Sequence, residues 1–286
     1  MKVYPITKFI IIIFLLVIII LGLYFILSFK EIISNEKYSL KDDGVYVISN
    51  VFDDSDIRKL KDLQCTKSYE QIKEILLHHP KLNAGCKAQI GPEYVFQDYI
   101  WMIEKSSVHT CHRDNNGDFF NKNQKYPSYT VIVFMEPMEK CLGVIPRSHL
   151  SKNSYNFNYK NNIVHLPCNP GDVIIFNANI IHVGSISQDH HLRYQLKYTH
   201  KDDIPIINYY ENYNKILQEE NKLPIEIRKI QQNFSCHFPV LSNITQGENI
   251  RTARGSENGV QIGVMQKIFS LLFYGNSNYY DLPNAF

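Results

Sequence analysis

The sequence predicts a mainly β protein, an antiparallel sandwich or barrel with flanking helices, set behind one N-terminal transmembrane helix. Three observations carry this reading. Short β-rich stretches recur between Tyr94 and Tyr198, divided by turn residues and without long helices between them. Amphipathic, helix-like spacing is confined to the stretches on either side. Ahead of everything stands a long apolar run without a charge.

That run is Phe9 to Phe29, FIIIIFLLVIIILGLYFILSF. As a helix it is long enough to cross a hydrocarbon core of about 30 Å, and a helix satisfies its own backbone polar groups there. It exceeds the apolar region of a cleaved signal peptide, and no small-residue cleavage site follows it. Lys2 and Lys8 precede it and Lys30, Lys37 and Lys41 follow, so the flanking charges do not choose an orientation. A short tail before the span and a long domain after it suit a single-pass signal anchor with the domain on the lumenal or outer side. The triplets Asn233-Phe-Ser235 and Asn243-Ile-Thr245 permit glycosylation there.

Residues 30–42 read as a polar linker. Gly44–Ile48 alternates as a first strand. Asp53 or Asp54 caps a helix to about Leu63, and Ser68 caps a second helix that Pro80 stops. Strands follow at Tyr94–Ile103, Tyr129–Met135, Cys141–Ile145, Ile163–Leu166, Asp172–Phe176 and Leu192–Tyr198, with a polar loop at Asn115–Lys125. Tyr209–Glu220, Ile225–Gln232 and Val264–Tyr274 carry helical spacing. The expected organisation is a tail (1–8), an anchor (9–29), a linker (30–42), a β-core (43–203) and a helical extension packed on it (204–286).

Net charge is +2, which leaves no electrostatic footprint for nucleic acid. The six cysteines form no CxxC pair, which disfavours a zinc ribbon or a dithiol redox motif. Whether any pair as disulfides stays open.

Chemistry gathers at four positions. In His112-Arg113-Asp114, residues i and i+2 of a strand face the same way, so an imidazole and a carboxylate can converge. Gly171-Asp172 turns into an apolar strand, and His182 follows near the same sheet. Arg193 comes early in the next strand; inside a barrel its permanent charge would require an anionic partner. Two histidines and one carboxylate on one face of a metal leave three positions open, an arrangement suited to non-haem Fe(II).

These residues carry a resemblance. Gly44-Val-Tyr-Val-Ile-Ser-Asn-Val-Phe, Gln97-Asp98-Tyr99, the HxD triplet, Val131–Pro137, Leu142-Gly143-Val-Ile-Pro146-Arg-Ser-His149, Gly171-Asp172 to Phe176, His182 and Arg193 together resemble the Fe(II)/2-oxoglutarate oxygenases, within them the phytanoyl-CoA dioxygenase-like group. The resemblance spans roughly residues 40–200. It implies a double-stranded β-helix, or jelly-roll, with iron held by His112, Asp114 and His182. It implies Arg193 on the distal carboxylate of 2-oxoglutarate, with Tyr99, and more weakly Thr130, adding a hydrogen bond. Retention of Asp114, which related halogenating enzymes lack, points to hydroxylation of a C–H bond with O₂ as co-reactant. The substrate, whether small molecule, lipid, glycan or protein side chain, is not specified. The rival reading is a membrane-tethered jelly-roll binding module without turnover. Arg147 departs from the group, standing where Gly is common. Cys111 beside His112 reads only as a site exposed to oxidation.

Overall fold

The computed structural model describes residues 5–27, 29–105, 108–114, 124–151, 155–156, 162–186, 191–207, 214–218 and 220–239, with 264, 267–268 and 271–272 as isolated positions. Two sheets face one another. The larger has the order β11 (Lys215–Gln218), β4 (Trp101–Lys105), β10 (Arg193–His200), β5 (Tyr129–Phe134), β8 (Val173–Asn177) and β2 (Val45–Ile48), with β3 (Tyr94–Phe96) also paired to β10. The smaller runs β1 (Glu31–Ile33), β7 (Ile163–Cys168), β6 (Met138–Ile145) and β9 (Ile181–Gly184). This is the expected mainly β architecture with flanking helices, consistent with a jelly-roll.

Side-chain alternation divides the core. On the large sheet Val131, Val133, Val173, Ile175, Tyr194, Leu196 and Tyr198 face outward and join Leu60, Ile72, Leu76 and Leu82 of three covering helices. These are α2 (Asp54–Cys65), α3 (Tyr69–His78) and α4 (Pro80–Ile90). The alternate residues Ile132, Phe134, Ile174 and Phe176 face inward, against Leu142, Val144, Val164 and Leu166 of the small sheet. Fully burying one such side chain is worth about 1.5–3 kcal/mol, so a one-residue slip of any central strand would exchange both cores at once. The same alternation turns Arg193, Gln195 and Lys197 of β10 inward, which places charge inside the sandwich.

The turn into β8 shows why glycine stands at 171. Its φ is +85°, and a Cβ there would lie 2.1 Å from the Phe52 carbonyl oxygen. Asp172 then closes the turn, its carboxylate accepting from the backbone N–H groups of Asn50 and Asn169 at 2.9 and 2.8 Å. The departure at Arg147 is explained similarly: the residue is left-handed, φ 67°, the conformation glycine takes most easily.

Several expectations need correction. The second helix does end at His78, ahead of Pro80, but Pro80 also opens a third helix that was not expected, α4, at its first turn, where its missing N–H costs nothing, and His79 caps that helix by accepting from Leu82 N–H. Tyr94–Ile103 is broken into β3 and β4 instead of running as one strand. The linker holds β1, a short strand paired parallel to β7. Within Tyr209–Glu220, Lys215–Gln218 is the parallel edge strand β11 beside β4, not helix. After the one-turn helix α5 (Ile204–Ile207), Ile225–Gln232 is helical as expected, as part of α6 (Ile225–His237). Asn115–Lys125 and Val264–Tyr274 lie mostly outside the described residues.

The N-terminal run is a helix, α1 (Pro5–Leu27), and it packs on α6. It ends short of the expected boundary: Phe29 is 6% exposed and turns into a cluster with Cys111, Ile145, Ile163, Ile181, Val183 and Cys236. Among the described residues no helix is long and apolar enough to cross a membrane. Side chains in α1 are described only from Lys8 to Tyr24, and those are exposed except at Gly22.

Candidate metal centre

His182 sits in β9 between Ile181 and Val183. Those two point into the cluster around Phe29, so His182 points the other way, into the sandwich, with its ring centroid 4.6 Å from that of Phe176. Opposite it lies His112. The two residues form one antiparallel bridge: His112 N–H donates to the His182 carbonyl at 3.0 Å and His182 N–H to the His112 carbonyl at 2.9 Å. That single pair sets the two rings 4.3 Å apart.

Asp114 follows on the same side, as its i+2 spacing from His112 anticipates. Its Oδ1 is 3.7 Å from His112 Nε2 and 3.4 Å from His182 Nε2. One ligand atom from each of the three residues falls within 4.8 Å of the others, and all three side chains are at most 15% exposed.

The remaining atoms of the triad suit a metal. His112 Nδ1 lies 2.9 Å from the Thr110 carbonyl and His182 Nδ1 3.1 Å from the Ile180 carbonyl. A carbonyl only accepts, so each Nδ1 carries the proton and each Nε2 lone pair is free for a metal. Burial, and the charge of His182 beside it, push His112 down to about 4, which keeps it neutral near pH 7. Burial alone would raise the Asp114 carboxyl; Lys197, His182 and His112 outweigh it and hold the group well below the usual carboxylate range. Two imidazoles, each with Nδ1 tied to a carbonyl, and one carboxylate therefore converge, a donor set that fits Fe(II) with positions to spare.

The segment carrying His112 and Asp114 is fastened on every side. Cys111 forms a disulfide with Cys236 of α6, and its N–H donates to Ser235 Oγ at 2.7 Å. Arg113 turns away from the triad and donates to the Ser148 carbonyl at 2.9 Å and to the Asn179 carbonyl. Asp114 Oδ2 accepts from Thr130 Oγ1 and Lys197 Nζ. Sequence reasoning left the cysteine pairing open and missed Lys197, although its spacing from Arg193 puts both on one face of β10.

Arg193 is buried, faces inward, and donates from one guanidinium nitrogen to the His191 carbonyl at 3.1 Å. Lys197 lies four positions further on, about 13 Å along the strand. Tyr99 is fully buried with its ring 6.3 Å from that of Trp101; the triad is not among its described contacts. Thr130 touches Asp114, where the resemblance had suggested the cosubstrate. His109 is held by Gln231 and Asn221, apart from the triad.

Residues 59–187 match the family model described as phytanoyl-CoA dioxygenase (PhyH). No curated protein matches the chain. Among solved structures, the chain is similar to the non-heme alpha ketoglutarate dependent epimerase SnoN from nogalamycin biosynthesis. Identity there is 16%, over 56% of this chain and 80% of that one, with a TM-score of 0.46. It is also similar to HygX from Streptomyces hygroscopicus with iron bound (13% identity, 57% and 84% of the chains, TM-score 0.44). A third is AviO1 from Streptomyces viridochromogenes Tue57 (15% identity, 57% and 92%, TM-score 0.42). The family match opens inside α2 and closes just after β9, so it encloses His112, Asp114 and His182, and over that stretch the chain resembles the phytanoyl-CoA dioxygenase family.

Proposed function

We propose that the protein is an Fe(II)- and 2-oxoglutarate-dependent dioxygenase that hydroxylates a C–H bond of its substrate. The observation that carries this is the triad: three ligand atoms within 4.8 Å on side chains at most 15% exposed, both imidazoles oriented by backbone carbonyls. Iron, 2-oxoglutarate and O₂ supply the oxidising chemistry, replacing C–H by C–OH while 2-oxoglutarate leaves as succinate and CO₂. The chain supplies the rest. His112, Asp114 and His182 bind the metal. Arg193, buried on the same inward face of β10, offers its guanidinium fork to the distal carboxylate of 2-oxoglutarate. Tyr99 is a further candidate contact to that cosubstrate. Phe176 and Phe134 line the inner face and keep water away from the reacting atoms.

The test is anaerobic addition of Fe(II) and 2-oxoglutarate to the full-length chain in detergent, read by the visible charge-transfer band of the chelated cosubstrate. The band should vanish in His182→Ala and need more 2-oxoglutarate in Arg193→Ala. A folded, iron-loaded parent without the band would overturn the cosubstrate assignment and favour a binding module.

We further propose that α1 anchors the domain as a single-pass span on the lumenal or outer side of a membrane. Within α1 the sequence is charge-free from Phe9 to Leu27, a stretch that extends about 28 Å as a helix. The Cys111–Cys236 disulfide suits an oxidising compartment. Asn233 gives no further support, because it lies within α6 and Ser235 is buried. Release of the full chain from membranes by an alkaline carbonate wash would refute the anchor.

A further inference from the structure

The two oxygens of Asp114 have different surroundings. Oδ1 faces the two Nε2 atoms. Oδ2 faces away from them and accepts from Thr130 Oγ1 and Lys197 Nζ, and Lys197 Nζ also donates to Thr130 Oγ1, closing a triangle. The triangle is buried, with Thr130 at 0% and Lys197 at 8% exposure. Lys197 and Thr130 are register partners across β10 and β5, at the centre of the large sheet. Asp114 itself lies on an irregular segment paired with the small sheet. The carboxylate thus spans the sandwich, one oxygen towards each side. A buried ammonium cannot give up its counter-charge cheaply, which ties Lys197 to this oxygen.

We infer that Lys197 and Thr130 are positioning residues that reserve Asp114 Oδ2 and confine the carboxylate to a single ligand oxygen, Oδ1. The inference rests on the triad being the metal centre. A carboxylate free at both oxygens can bind a cation through one or through both. Binding through both would consume one of the three positions that two histidines and a carboxylate leave open. A cosubstrate that chelates takes two of those, and O₂ needs the third. The clamp therefore keeps the coordination sphere open, and it acts on the chain's own ligand without touching cosubstrate or substrate.

This has a signature that a general structural defect lacks. Removing the clamp frees Oδ2 and removes a positive charge beside the metal, so the divalent cation binds more tightly. It also closes a position, so 2-oxoglutarate binds less tightly. The full-length chain in detergent is titrated anaerobically with Co(II), read by its d–d absorption, and the Co(II)-loaded protein is then titrated with 2-oxoglutarate. In Lys197→Met each affinity is expected to move roughly tenfold, in opposite directions. The Co(II) band should shift to the weaker absorption of a higher coordination number. Thr130→Val should move both the same way by a smaller factor, and Lys197→Arg should restore both towards the parent. Thr130→Val, nearly the same shape, carries the test alone if Lys197→Met does not fold. Affinities that fall together, a loss confined to 2-oxoglutarate, or no change in either would overturn the clamp. A parent that binds Co(II) no better than His182→Ala would instead overturn the metal-centre reading.

Discussion

The two halves of the candidate metal centre are built by opposite means. His182 is held by regular structure: β9 pairs with β6 along its length, and Ile181 and Val183 on either side are buried. His112 and Asp114 have no strand beneath them. One bridge, one disulfide, a serine hydroxyl, an arginine and the Lys197–Thr130 pair hold that segment. A strand fixes a side chain through a repeating ladder, so no single contact matters greatly. An irregular segment is fixed by separate contacts, each of which matters. The halves should therefore respond differently to damage.

The largest difference is expected at the disulfide. Cys111 and Cys236 are 125 residues apart in sequence, and closing a loop of that size restricts the unfolded chain by about 4–5 kcal/mol. Cys111→Ser should lower the urea midpoint accordingly, and a reductant should do the same to the parent while leaving the variant unmoved. Metal affinity should fall with it, because the bond adjoins His112. A stability loss with unchanged Co(II) affinity would show that the fastening serves α6 and not the ligand segment.

Next in size is a pH effect on the metal-free chain. Burial and the neighbouring His182 hold His112 at about 4 against an ordinary 6.5. Between those values the unfolded chain binds a proton that the folded chain refuses. The contribution is thus fully present above pH 6.5 and is lost as pH falls through 4, up to about 3 kcal/mol. Urea unfolding of the metal-free protein between pH 4 and 7 should show this slope, and His112→Gln should flatten it. An equal slope in the variant would move the titration elsewhere.

What the sequence made legible follows the same division. Strands buried on both faces, such as Tyr129–Phe134 and Val173–Asn177, announce themselves as β-branched runs, and their order implies the sandwich. The candidate ligands His112, Asp114 and His182, which the fold brings together, stood out by residue type and order. The fastenings did not: Cys236 and Ser235 lie more than a hundred residues from Cys111, and no local pattern marks such a contact. β1 and β11 are short edge strands that pairing with a neighbour stabilises, so polar or helix-like composition concealed them. Lys197 was the exception, legible through its even spacing from Arg193 yet overlooked because a lysine in a strand usually faces solvent.

The finest test sets two small changes side by side. Ile181→Val trims one methylene group from the buried side of β9 and should cost about 1 kcal/mol. Ser235→Ala removes the acceptor of the Cys111 N–H and leaves a buried donor unsatisfied, at about 1–3 kcal/mol. In thermal stability the two overlap. In Co(II) affinity they should separate: Ile181→Val leaves it at the parent value, because the β9 ladder still sets the His182 backbone. Ser235→Ala weakens it, because the segment before His112 gains a direction in which to move. Equal affinities in the two variants would mean that the bridge between His112 and His182 suffices to hold both ligands, and that the other contacts add only stability.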